Sequence, residues 1–278
     1  MTIRHIPSSL SDFAPITLTE LQERASFMER KDRKYLVPID AMPDLLAEFP
    51  DGSQVLEIEH KRRFRYESLY FDDAAFPAYH LGLRRRPNRF KVRTRHYVES
   101  GLRHLEVKTL GNRGETIKTR ILHQSSDLMA LSASEYRWLE HFPQVRPFVD
   151  GLAACLSTTY ERSTIVLPGS TGRVTMDSRL TWSEPGGDLI SLHDEIVIET
   201  KGNGKPTLVD RVLWRAGYRP VPLSKFGVGL SLLRPELPAN RWHRIGQWVC
   251  TGIAAGPGAE SRRCGFGTEI RPLMIAHR

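Results

Sequence analysis

The stretch that decides the fold is "RFKVRTRHYV", residues 89–98. Val92, Tyr97 and Val98 give it the β-branched and aromatic character of a strand. Side chains two apart on a strand share a face. Lys91, Arg93 and Arg95 therefore stand on one side, roughly 6–7 Å between neighbours. Like charges at that spacing repel, so three in a row need a reason.

The same phase recurs outward along the chain. "RHLEVKTL" sets Glu106 and Lys108 against Leu105 and Val107, and "ETIKTRIL" sets Lys118 and Arg120 against Ile117 and Ile121. "TTYERSTIVL" aligns Tyr160 with Arg162. "GRVTMDSRL" aligns Arg173, Thr175 and Asp177 against Val174 and Met176. "DEIVIETKG" aligns Glu195, Val197, Glu199 and Lys201 against Ile196 and Ile198. In "RKDRKYLV", Arg30, Asp32 and Lys34 share one face and Lys31, Arg33 and Tyr35 the other, so this segment alone leaves its buried face open.

For any one strand, a solvated outer face explains such alternation. The set argues otherwise, because Arg and Lys return strand after strand with few carboxylates among them. Buried like charges cost several kcal/mol unless paired. An inward-facing basic surface is therefore expected to be wet and built for a polyanion, with the apolar face packed on helices.

Strands are expected at 28–37, 54–60, 63–72, 89–98, 102–110, 115–122, 156–167, 172–182 and 189–201, and helices at 39–49, 73–86, 126–141 and 206–217. "GNRG" (111–114) marks a hairpin and "LPGSTGR" (167–173) a looser turn. Antiparallel strands with helices between them predict an α+β fold, a sheet that closes on itself into a barrel with its apolar face against helices packed outside. Residues 1–26 read as a lead-in with a short helical piece, 27–234 as the barrel domain, and 235–278 as a flexible tail without a period.

The chain has 278 residues and a formal net charge of +8, which points to polyanions without choosing among them. Three cysteines without a CxxC pair argue against a disulfide framework or a zinc site, and the simplest expectation is a reducing, cytoplasmic compartment. The N-terminal residues lack the apolar core of a signal peptide, and no run of about 18 apolar residues exists.

"RKDRKYLV", "SLYFDD", "FKVRTR", "HLEVKT", "YERSTIV", "RVTMDSRL", "VIETKGNGKPTLVDRVLWRAGYRP" and "LSKFGVGL" occur in an order that resembles the VTC domain. This is the catalytic module of the vacuolar transporter chaperone polyphosphate polymerases, in the triphosphate tunnel (CYTH-like) superfamily. The resemblance runs over about residues 27–233. It implies a closed eight-stranded antiparallel tunnel barrel that moves the γ-phosphate of ATP to a growing polyphosphate chain with Mn²⁺ or Mg²⁺. It implies phosphate-binding roles for Lys34, Arg93, Arg95, Lys108, Arg162, Arg173 and Lys225. Tyr160, Ser224, Lys118 and Lys201 would add substrate contacts, and Glu199 would hold the metal. The eukaryotic pattern has a further lysine just before the Ser-Lys pair, where this chain has Pro222 and Leu223. Without regulatory and membrane segments, the chain resembles a stand-alone, bacterial-type member whose partners are ATP and polyphosphate, with any membrane-protein partner in another chain.

Glu106 and Asp177 are second candidates for the metal, against a simpler role pairing nearby cations. A hydrolase acting on triphosphate or polyphosphate in the same lumen is the alternative activity, and a non-catalytic polyphosphate or nucleotide sensor a third. Nucleic-acid binding is not expected, because the basic residues alternate with acids on strands and no stacking aromatics accompany them.

Overall fold

The computed structural model describes residues 9–25, 31–111, 114–125, 127–192 and 194–254. The strands are β1 (Ala14–Ile16), β2 (Lys31–Pro38), β3 (Gln54–Leu56), β4 (Phe64–Asp72), β5 (Lys91–Tyr97), β6 (Leu102–Leu110), β7 (Thr116–Leu122), β8 (Ala153–Val166), β9 (Gly172–Ser183), β10 (Leu189–Leu192) and β11 (Glu195–Gly202). The helices are α1 (Leu18–Ala25), α2 (Met42–Ala47), α3 (Pro77–Leu83), α4 (Ala133–Leu139), α5 (Leu208–Arg215), α6 (Lys225–Leu233) and α7 (His243–Ala254).

Eight strands form one antiparallel path in the order β2-β11-β9-β8-β4-β5-β6-β7. The barrel is expected to close, yet among the described residues no ladder joins β2 to β7. Part of the free edge of β2 is taken by the segment before α6, where Val221 N donates to the Lys34 carbonyl at 2.7 Å. The sheet is nonetheless strongly curled. Ser224 and Lys225 are chain neighbours, but Ser224 meets Lys91 on β5 while Lys225 meets Asp177 on β9. Those strands lie three apart in the path, about 14 Å in a flat sheet.

Register confirms the expected phase. Lys34, Glu199 and Thr175 are cross-strand partners, as are Arg93 with Tyr70 and Glu106. The opposite face is apolar. Tyr35, Val37, Ile196, Ile198, Val174 and Met176 pack with residues of α2 and α5, and Val92, Leu105 and Val107 belong with Leu139 and Val145 beyond β5 and β6. Burying each such side chain contributes roughly 1.5–3 kcal/mol.

Two buried aspartates are structural pins. Asp210, buried on α5, accepts from the Tyr35 hydroxyl at 2.6 Å and the Thr200 hydroxyl at 2.5 Å, tying the helix to β2 and β11. Asp72 accepts the backbone N–H groups of Ala78 and Tyr79 at the start of α3. Burial lifts its pKa to about 6 despite those bonds.

Not every helix packs outside. α6 lies on the concave face, where Phe226 stacks on Tyr70 and the Trp182 indole donates to the Lys225 carbonyl at 2.8 Å. Leu36, Leu156, Leu180, Trp182 and Val197 join Phe226 and Leu230 in one buried cluster. α6 thus covers the apolar end of this face and leaves the charged end open. A Cβ at Gly229 would collide with Trp182 and Leu156, and one at Gly227 with Trp242, so only glycine allows this seating.

The segment after 235 is also structured as far as residue 254. Trp242, Ile245 and Val249 are buried in the main core at helical spacing. Residues 255–278 and Arg30 lie outside the described residues. The strand expected over 189–201 is two strands, β10 and β11. Among the described residues no helix is long and apolar enough to cross a membrane.

Candidate functional site

Two arginines on the concave face are clamped by buried carboxylates. Arg93 donates through Nε and Nη2 to Glu106 Oε2 at 2.9 and 2.6 Å, and through Nη1 to the Tyr70 hydroxyl at 3.1 Å. Arg162 grips Asp177 with both forks, Nε to Oδ1 at 2.6 Å and Nη2 to Oδ2 at 2.8 Å. Lys225 shares Asp177. Burial alone would raise the two carboxyl pKa values. Arg93, Arg95 and Lys118 overcome it at Glu106, and Arg162 and Lys225 overcome it at Asp177, which falls to about 2. Both acids are fully buried, so they act as fixed counter-charges that orient the guanidinium groups.

Arg95 is held without a carboxylate. Arg95 donates to Ser68 Oγ at 3.3 Å and to the Tyr160 hydroxyl at 2.5 Å. Tyr66 and Tyr160 stack at 5.4 Å with an interplanar angle of 2°, and Arg95 and Arg162 both lie against this pair. Lys225 Nζ sits 4.5 Å from the Tyr160 ring centre. Cation–π contact of this kind holds a charge in place without neutralising it. Lys91 donates to Ser224 Oγ at 2.9 Å, and Ser224 also caps α6 by accepting from Gly227 N. Lys108 stands opposite Lys91 in the register. Among the described residues, Lys34, Lys91, Arg95 and Lys108 make no ion pair at salt-bridge distance.

The crowding shows in the lysines. Burial first, then Lys34, Arg93, Arg241 and Arg89, bring Lys91 down to about 7. Arg93, burial and Arg95 hold Lys108 well below its ordinary value.

Glu199 faces Lys34 across the ladder and bonds Lys201 Nζ at 2.7 Å. Lys201 also reaches Asp32 at 3.4 Å. Burial would raise the Glu199 pKa, but Lys34, Lys201 and Arg162 hold it well below the usual carboxylate range. Arg173 lies beside Lys201 in the register, on the same face. Lys118 sits at the exposed β7 edge, 3.4 Å from Glu106.

All the site residues read from the sequence therefore share one face, Lys118 at its rim and Ser224 and Lys225 supplied by α6. The structure adds Tyr66, Ser68, Tyr70 and Lys91. The first three alternate along "FRYESLYFD", so the phase of Arg95, carried across the β4–β5 ladder, points to them.

The VTC domain matches residues 29–234. The chain belongs to the VTC domain family. No curated protein sequence matches it. Among solved structures, it resembles a candidate adenylyl cyclase from Hippeastrum described as having a dominant triphosphatase activity. There the identity is 17%, coverage is 77% of this chain and 100% of that one, and the TM-score is 0.44. It also resembles a candidate adenylate cyclase from Vibrio parahaemolyticus, with 14% identity, 68% and 87% coverage, and a TM-score of 0.38. A conserved protein from Pyrococcus furiosus gives 13% identity, 67% and 88% coverage, and a TM-score of 0.36.

Proposed function

We propose that this chain is a polyphosphate polymerase that transfers the γ-phosphate of ATP to the end of a condensed phosphate chain lying on the concave face. The observation that carries the reading is the set of cations that make no ion pair at salt-bridge distance among the described residues, Lys34, Lys91, Arg95 and Lys108, gathered on a half-buried surface with Glu199, opposite Lys34, as the nearby carboxylate. Such a surface is costly when nothing compensates it. A linear polyanion supplies the missing charge at regular spacing.

Phosphoryl transfer asks the protein mainly to position oxygens and balance developing charge. Arg93 and Arg162, locked by Glu106 and Asp177, cost little further entropy when they meet phosphate oxygens. Arg95 makes no ion pair and offers its charge to the chain, and a bound polyanion favours the charged forms of the crowded Lys91 and Lys108. Lys225 and Arg173 extend the cationic surface, Tyr160 and Ser224 present hydroxyls beside it, and Lys201 and Lys118 stay shared with carboxylates.

The donors also fit a divalent metal carried by the nucleotide. Among the described residues no cluster of three His, Cys, Asp or Glu exists to make an all-protein cage. Mg²⁺ and Mn²⁺ sites commonly use one or two carboxylates and complete themselves with phosphate oxygens and water. Glu199 provides one ionised carboxylate, and the buried Thr175 hydroxyl next to it in the register has no partner among the described residues. When bound there, the metal would supply charge compensation on the phosphate oxygens.

The test is one incubation of the purified chain with ATP and Mn²⁺, following ADP, free phosphate and long-chain polyphosphate together. Polymer in step with ADP is the expected result. Free phosphate without polymer would replace the polymerase with a triphosphate hydrolase, and neither product would leave a binding module.

A further inference from the structure

The concave face does not end at Lys91. Arg89 precedes it by two residues, and its Nη1 is held by the carbonyls of Arg85 and Arg86 at 3.3 and 3.1 Å. Arg241 arrives from a distant part of the chain, and its Nη1 bonds the Gly82 carbonyl at 3.3 Å. Arg84, Arg85 and Arg86 are exposed at the end of α3. Among the described residues none of these arginines makes a salt bridge. Arg89 and Arg241 are placed by backbone carbonyls, which fix a guanidinium and leave its charge uncancelled.

A plainer account exists, since cations at a helix C-terminus are favoured by the helix dipole. It covers residues that end α3. It extends to Arg241, which bonds the Gly82 carbonyl in the last turn of α3 next to Trp242, itself packed on Tyr79, but not to Arg89, whose partners, the Arg85 and Arg86 carbonyls, lie past the end of the helix. The backbone adds a second observation. α3 ends with Arg86 N bonded to the Leu81 carbonyl and Arg85 N to the Gly82 carbonyl, the pattern of a Schellman stop. That stop needs a left-handed residue, and Arg85 supplies it at φ 55°. Glycine would sit there without strain. An arginine in this place brings charge at the expense of backbone ease. The mutual proximity of the cations is visible in Arg241, whose pKa is lowered by burial and by Arg85 and Arg89.

We infer that Arg85, Arg89 and Arg241 continue from Lys91 as a track that carries a long condensed phosphate chain between the concave face and solvent. This rests on the concave face being the phosphate site, and it assigns a binding surface outside that face. The ligand is a linear phosphate polyanion long enough to reach both. A short one fills the concave face alone.

The experiment compares the full chain with Arg85→Gly and Arg85→Gly/Arg241→Gln, measuring affinity for tripolyphosphate and for long-chain polyphosphate at two salt concentrations. Arg85→Gly relaxes the left-handed position, so its melting temperature should not fall, and any binding loss is not misfolding. Tripolyphosphate affinity should be unchanged. Long-chain affinity should drop about two- to fivefold for each charge removed, with a shallower salt dependence. Equal weakening of both lengths, or unchanged long-chain binding, would overturn the track. So would loss of RNA or anionic-vesicle binding while polyphosphate binding stays intact. Failure of the unmodified chain to bind either phosphate would instead defeat the proposed function, and the track with it.

Discussion

Asp177→Asn is the sharpest probe of how the site is held. Asp177 is fully buried between Arg162 and Lys225, and its pKa falls from an ordinary 3.8 to about 2. A carboxylate with a depressed folded pKa stabilises the fold above its unfolded pKa, and that stability is lost as pH falls through the folded value. The drop corresponds to roughly 2–3 kcal/mol at neutral pH. Asparagine also leaves two buried cations facing each other, so the expected loss is about 3 kcal/mol. For a chain of this size that lowers Tm by roughly 6–12 °C. Thermal unfolding of both proteins, followed from neutral pH downward, should show the gap constant above about pH 4 and closing toward pH 2. Tripolyphosphate should raise the Tm of the variant more than that of the parent, because it supplies the charge that Asp177 provided. A gap that stays constant down to pH 3, with no extra rescue, would refute the account of Asp177 as the counter-charge of this face.

Four further outcomes are expected. Arg95→Ala should abolish turnover with Tm unchanged or raised. Arg93→Ala should cost about 3 kcal/mol in denaturant unfolding, because it strands the buried Glu106; equal stability of the two variants would contradict the division into clamped and unclamped arginines. Tripolyphosphate binding at about pH 8 should take up protons, because a polyanion restores the ammonium of Lys91, now at about 7. Calorimetry in buffers of different ionisation enthalpy measures this, and Lys91→Arg should reduce the uptake. Glu199→Gln should bind polyphosphate as tightly or more tightly, since it removes a buried negative charge, yet lose ATP-dependent turnover. Near-normal turnover would remove Glu199 as the metal's carboxylate.

The concave face was legible because a strand's alternation is visible residue by residue, and Arg93, Lys108, Arg162 and Glu199 each keep their phase. What pairs with what was not legible. Whether Arg93 repels its neighbours or clamps Glu106 depends on register between strands, and Arg93 and Glu106 lie on different ones. The repulsion that the opening stretch suggested belongs instead to Arg95, Lys91 and Lys108. α6 escaped notice because "KFGVGL" holds two glycines, a poor helix former by propensity. Packing against Trp182 and Trp242 outweighs that deficit. α7 escaped because Trp242, Ile245 and Val249 are diluted by glycine and polar residues between them. A closed barrel is expected, yet among the described residues no ladder joins β2 to β7, and the edge of β2 is partly met by a loop residue, Val221, whose place no strand alternation announces.

The shared strands have a consequence for how this protein can change. On β11, Ile196 and Ile198 belong to the core while Glu199 and Lys201 belong to the concave face, and β2 and β9 follow the same beat. Core and phosphate surface are thus two reading frames of one text. A point substitution edits one frame. A one-residue insertion within β11 swaps them, turning Glu199 into the core and an isoleucine onto the charged surface. Length variation in relatives with the same chemistry should therefore collect in the loops, or come in pairs of residues within a strand. The irregularity between Thr159 and Glu161, where β8 slips against β9, is a place where a single residue has already been absorbed with Arg162 still facing Asp177.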